Sequence, residues 1–183
     1  PGRIVAEYKA KGWENVICYG MGSTLDDVKN AAAAEMNIVC SAAAIKAAEY
    51  LKEKFGTPYE IEYPRSCLPE EIVQKADNFT DKNVLVIHNQ TAADAVRKLI
   101  TEKSGKCHCT SATFFMQKKE LLQQSDFFLA DESDLCDNVG DNYDVVIADK
   151  TLRRVMKNFS GEFIDFPHFG LSGRLLQGES EKI

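Results

Sequence analysis

Met36-Asn37-Ile38-Val39-Cys40 is an apolar, strand-like run, and a helix-like run from Ala42 to Phe55 follows it at once. Gly56-Thr57-Pro58-Tyr59 then punctuates the chain, because glycine and proline interrupt helices. A strand that feeds directly into a helix is the building unit of a parallel α/β sheet. This reading puts Cys40 at the carboxyl end of a parallel strand and against a helix N-terminus. Ligands of open α/β sheets bind in that crevice, and the positive helix end favours a thiolate.

The same alternation extends in both directions. Upstream, Val16-Ile17-Cys18-Tyr19 reads as a short buried strand ending in Gly20-Met21-Gly22. Thr24 opens a helix there, with Asp27 imitating a capping box, and the helix runs on through the Ala31–Ala34 tract. The helix after Cys40 has an inner stripe of Ala44, Ala48, Leu51 and Phe55, and Tyr59 to Tyr63 alternates as a third strand. Pro64 and Pro69 mark a boundary before a helix around Glu70–Asp77.

A second series of strands and helices follows. The strands are Val84–Ile87, Lys106–Ser111, Phe127–Leu129, Tyr143–Ala148 and Glu162–Phe166, and the helices are Thr91–Glu102, Gln117–Gln123 and Leu152–Asn158. Alternating elements of this kind imply parallel sheets with right-handed crossovers. The predicted fold is therefore α/β, with two Rossmann-like parallel-sheet units and helices on both faces. Residues 1–68 are expected to form the first unit, an incomplete one, and residues 69–183 the second, with a C-terminal tail.

With 183 residues and 44% apolar side chains, the chain can bury a real core. Its net charge of −6, with both signs interleaved, argues against a nucleic-acid partner, since phosphate binding needs a positive field. No apolar run approaches the roughly 20 residues of a membrane span, and the N-terminus has no signal-peptide core. Six cysteines in a chain of this pattern read as reduced thiols of the cytoplasm. The start at Pro1-Gly2-Arg3, without methionine, reads as that of a fragment.

Several motifs carry candidate chemistry. Gly20-Met21-Gly22 resembles the start of a dinucleotide fingerprint, but the third glycine falls at Leu25, and Asp26 and Asp27 would repel a pyrophosphate. A tight turn is the better reading, and without a Walker A sequence the chain should not hydrolyse ATP. Cys107-His108-Cys109 looks metal-like, yet in a strand its two thiols face one way and its imidazole the other. His88 ends a strand and is expected at the crevice mouth, either as a functional group or as a cap. Cys67 lies in a loop that could approach a cofactor, whereas Cys18 and Cys136 read as packing residues. The residues alone leave Cys40 open between core residue and ligand.

The runs Ser23–Ala31, Met36–Cys40 and Tyr50–Tyr59 resemble the nitrogenase component 1 family. That family comprises the molybdenum-iron protein, its cofactor-assembly scaffold and the dark-operative tetrapyrrole reductases. Tyr143–Ala148 and Phe163–Pro167 fit the family's last strands more loosely. The resemblance implies a fragment covering the last two of three Rossmann-like domains. Cys40 matches the cysteine that binds an end iron of the nitrogenase metallocluster, which makes it the expected metal ligand, a role suited to a soft thiolate.

The departures are as informative. The histidine at the cluster's other end falls at Pro167, with His168 one place late, and the glycine pair and arginine around the cluster read Asn89, Gln90 and Ala92. The relay-cluster cysteines belong to an N-terminal domain that this chain lacks. What the resemblance then implies is part of an oxidoreductase that receives electrons from an ATP-driven iron-sulfur reductase. It would reduce a substrate or metallocofactor bound between domains. Cys40, Asn89 and Gln90 would bind the cofactor, and His88 and His168 would donate protons near neutral pH. The cofactor would be an iron-sulfur metallocluster or a tetrapyrrole in the full-length protein, with none required in the fragment, which by itself should be inactive. A homologous subunit is the other expected partner. The alternative is a non-catalytic metallocofactor scaffold or a small-ligand-binding α/β protein.

Overall fold

The computed structural model describes residues 1–20, 22–139 and 142–172. The chain divides into two compact units, Pro1–Cys67 and Leu68–Ile183. Both are built on parallel sheets with helices around them, the α/β arrangement expected from the alternating pattern.

The first unit begins with helix α1 (Gly2–Ala10), where the sequence reading had no element. Val16–Tyr19, expected as a strand, is irregular. Strand pairing requires a neighbour, and the described residues of this unit supply only two strands, which pair with each other. The turn Gly20–Ser23 is closed by the Ser23 hydroxyl, which donates to the Gly20 carbonyl at 2.9 Å and accepts from the Gly20 amide at 3.0 Å. Thr24 then caps α2 (Leu25–Lys29) through the full reciprocal box with Asp27. Strands β1 (Asn37–Val39) and β2 (Tyr59–Ile61) pair in parallel, Val39 opposite Ile61. Between them, Ser41 caps a 3-10 turn over Ala42–Ala44, and α3 (Ile45–Phe55) follows. The buried stripe is Ala42, Ile45 and Ala48, whereas Ala44 and Phe55, expected inside, are exposed. Gly56 ends α3 at φ +75°, a conformation that favours glycine.

In the second unit, α4 (Glu70–Lys75) leads into a five-stranded sheet of β3 (Asn83–Ile87), β4 (His108–Thr113), β5 (Phe127–Phe128), β6 (Val145–Ala148) and β7 (Glu162–Asp165). Their order across the sheet is β5-β4-β3-β6-β7, and every pairing is parallel. Val84 to Ile87 and Val145 to Ala148 are buried at every position, as a strand covered on both faces must be. On one face Leu85, Ile87, Val146 and Ala148 meet Leu135 and Val139 of α6 (Glu132–Val139) and Leu152, Met156 and Phe159. Helix α5 (Gln90–Ser104) packs on β3 and β4. At Gly161 a Cβ would come within 2.5 Å of the Asp144 carbonyl oxygen and 2.6 Å of the Phe159 ring, so only glycine fits between them.

Two expected helices shrink to 3-10 turns, at Lys119–Leu121 and Lys150–Arg154. In the first, Lys118 cannot join a helical ladder: its N–H donates to the Gln90 Oε1 and its carbonyl accepts from the Gln90 Nε2, both at 3.0 Å. In the second, Arg153 turns back to donate to the Met156 and Phe159 carbonyls and closes the segment into a loop. Buried Arg97 on α5 binds Asp94, Asp126 and the Cys109 carbonyl, and Asp126 also accepts from the Ser111 amide, which fixes the β4–β5 connection to α5. Among the described residues no helix is long and apolar enough to cross a membrane.

Candidate functional site

Chain order reverses between β3 and β6, so the connections after these two strands diverge at their carboxyl ends, the position at which open α/β sheets bind ligands. His88 and Asn89 follow β3, and Asp149 follows β6. Phe115 comes from the segment after β4, and His168 from the segment between β7 and α7 (Phe169–Ser172). The sheet therefore brings His88 and His168 together from chain positions 80 residues apart. Their ring centroids are 4.6 Å apart at 65°. His88 stacks on Phe166 at 3.9 Å, and His168 stacks on Phe115 at 3.8 Å.

Each imidazole is engaged. His88 is almost wholly buried, and its Nε2 lies 3.2 Å from the Pro167 carbonyl oxygen, which can only accept, so Nε2 carries the proton. Burial first, and the neighbouring His168 second, push its pKa down to about 3. Near neutral pH His88 is thus uncharged and does not titrate, unlike the proton donor expected from histidine's ordinary pKa. His168 Nδ1 accepts from the Gly170 amide at 3.0 Å, which puts the neutral ring's proton on Nε2. Burial lowers its pKa as well, against the opposing charge of Asp149.

Asp149, which the sequence reading did not single out, organises this edge. Its carboxylate is fully buried. Oδ1 accepts from the Thr151 amide at 2.9 Å and the Thr151 hydroxyl at 2.8 Å, and Oδ2 accepts from the His168 amide at 2.9 Å and the Ser172 hydroxyl at 2.5 Å. Burial raises its pKa, but the bonds from Ser172, His168 and Thr151 outweigh burial and hold it below the usual carboxylate range. The available signal was an aspartate immediately after a buried strand with threonine two residues on, the pattern of a side-chain-capped turn.

The other expected ligands in this unit are spent locally. Asn89 caps α5, its Oδ1 accepting from the Ala92 amide and the Thr91 hydroxyl, both at 2.9 Å. Gln90 is buried, with both ends of its amide on the Lys118 backbone. In Cys107-His108-Cys109, His108 is exposed while Cys107 and Cys109 are half-buried, as alternation on a strand requires. Burial pushes the Cys109 thiol up to about 12.

Cys40 belongs to the first unit and directly follows β1. It is half-buried, with Sγ 4.0 Å from the Ile38 carbonyl. The expected thiolate is disfavoured: burial, then Cys67, Cys18, Glu62 and Glu7, push the thiol up to about 11. The helix that was to stabilise it starts only at Ile45, beyond Ser41 and the 3-10 turn. Cys18 and Cys67, both half-buried, surround Cys40 electrostatically, an association that spacing in sequence could not reveal. Among the described residues no group of three or more His, Cys, Asp or Glu side chains is placed to hold a metal ion.

No protein-family model matches the chain, and no curated protein matches it. Among solved structures, nitrogenase Cp1 at pH 6.5 matches with a TM-score of 0.51 and 15% identity. The match covers 85% of this chain and 43% of the nitrogenase chain, so this chain spans less than half of that protein's length. At this identity the likeness is one of fold.

Two outcomes follow from this geometry. Asp149→Ala strands four donors and should lower the stability of the second unit by about 2–4 kcal/mol in urea denaturation, with Asp149→Asn losing less. Because the carboxyl pKa is depressed on folding, its contribution is present above the unfolded value of about 4 and fades as pH falls through the folded value. The wild-type advantage over Asp149→Ala should therefore shrink in acid, and an advantage that grows there would contradict the assignment. For Cys40, iodoacetamide at pH 7.5 followed by peptide mass spectrometry should label exposed Cys136 at least about tenfold faster. Faster labelling of Cys40 would mean that it is a thiolate.

Proposed function

We propose that this chain is part of a nitrogenase component 1-like oxidoreductase of the cytoplasm. The full protein would take electrons from an ATP-driven iron-sulfur reductase and deliver them to a substrate or metallocofactor, with a homologous subunit as partner. The observation that carries the reading is Cys40, a thiol directly at the carboxyl end of a parallel strand in a chain whose fold resembles that of nitrogenase Cp1.

The residues supply one ligand for an iron-sulfur metallocluster, Cys40 of the first unit. Cys40 offers a soft sulfur donor, and a bound metal would displace its proton despite the raised pKa. Such a group, when bound, supplies electron storage. In the second unit His88 Nε2 is held to Pro167, and His168 Nδ1 is held by Gly170. His168 keeps a proton on Nε2, which could donate a hydrogen bond to a substrate. Asp149 orients His168 through its backbone amide. Asn89 would reach a cofactor only by leaving its cap, and Gln90 only by releasing the Lys118 backbone.

That one-sided fit also favours a second reading, a scaffold that carries a metallocofactor, or a module that binds a tetrapyrrole or another small ligand, without turnover. The test is iron and acid-labile sulfide analysis of the intact natural protein, isolated without oxygen, beside its Cys40→Ala variant. The redox reading expects iron and sulfide in the wild type and a loss of most of both in the variant. Metal-free wild-type protein, or equal metal in both, would remove Cys40 as a ligand and leave the small-ligand module.

A further inference from the structure

We propose that His168 is an acid-sensitive latch: its neutral imidazole closes the turn Phe169–Ser172 at the carboxyl edge of the second unit's sheet, and protonating the ring opens that turn. This is independent of whether Cys40 binds iron.

His168 is the residue on which the turn is built. Its carbonyl accepts from the Leu171 and Ser172 amides, both at 3.0 Å, and its own amide donates to Asp149. Of the turn's other two amides, that of Gly170 is satisfied by the imidazole Nδ1. The ring thus does what an asparagine or aspartate oxygen does at an ordinary helix start. Unlike those side chains, it can lose its acceptor by gaining a proton. A proton on Nδ1 would set two N–H groups against each other at 3.0 Å and place a positive ring beside amide donors, where positive charge is disfavoured.

The surroundings leave the ring little freedom to turn away. Phe115 lies parallel to its face at 3.8 Å, and His88 lies across it at 4.6 Å. Gly170 sits so close that a Cβ there would lie 3.1 Å from the Phe115 ring and 3.3 Å from the His168 Nδ1. Among the described residues, the titratable groups facing the ring are His88 from the end of β3 and Asp149 from the end of β6. The segment after β4 contributes Phe115, and Phe169–Ser172 carries no charge. His88 stays neutral in this range, and the Asp149 charge favours the ring's proton and hence opening, but burial outweighs it. The closed latch therefore binds its proton below the ordinary histidine value of about 6.5. It is closed above that value and opens as pH falls beneath it. The Ser172 hydroxyl bond to Asp149 keeps a second tether on the segment, so opening is local.

The test is amide hydrogen exchange followed by nuclear magnetic resonance from pH 8 to 4.5, corrected for intrinsic exchange, on wild type and His168→Asn. Asparagine supplies an oxygen acceptor in the same place and does not titrate. In wild type, protection at Gly170 should fall about tenfold or more between pH 7.5 and 4.5, while protection at Leu85 and Val86 holds. In His168→Asn, Gly170 protection should be flat. Constant protection in wild type, an equal fall in the variant, or loss at Leu85 in step with Gly170 would each overturn the latch. So would imidazole nitrogen shifts at pH 7.5 that place the neutral proton on Nδ1.

Discussion

The constraint on which the second unit depends is the parallel pairing of β3 with β6. Parallel strands cannot be joined by tight turns, so each strand must be followed by a crossing segment. Both faces of the pair are then covered, and residues 84–87 and 145–148 are apolar without interruption. With β4 placed outside β3 and β7 outside β6, the connections leave in opposite directions. The polar residues that end these strands, His88 and Asp149, meet at the divergence because the sheet has no other place for them. Burial there sets their chemistry: an imidazole is kept neutral near physiological pH, and a carboxylate is held ionised by accepting four hydrogen bonds.

That edge is better described as a set of satisfied groups than as an array of open ligands. Asn89 caps a helix, Gln90 staples a loop, His88 holds a carbonyl and His168 holds an amide. A metal-binding imidazole needs an available lone pair, and the lone pair of His168 is already engaged by Gly170.

Much of the fold was legible in the sequence because it follows from burial. The β-branched runs at 84–87 and 145–148 could only be central strands, and Thr24 with Asp27 could only be a helix start. Val16–Tyr19 forms no strand because the described residues offer it no strand partner, and its apolar content does not bury it: Ile17 and Tyr19 are exposed. The helices expected at 117–123 and 152–158 failed for a different reason. Long-range or looping hydrogen bonds from Gln90 and Arg153 took backbone groups that a helix would have used. Of the candidate site, the strand-end positions of Cys40 and His88 were readable from pattern alone. The tautomers, the engagement of Asn89 and Gln90, the role of Asp149 and the grouping of Cys18 and Cys67 with Cys40 depend on tertiary neighbours.

Cys40 remains the residue on which the functional account turns. Its neighbours raise its pKa, so the protein does not present a reactive thiolate, and a metal would have to displace the proton. The most direct measurement is X-ray absorption at the selenium edge of the full-length protein, isolated anaerobically with selenocysteine in place of Cys40. The account predicts iron as the nearest heavy scatterer of that selenium. A spectrum with only light-atom neighbours would contradict it and leave Cys40 as a buried thiol of an α/β binding module.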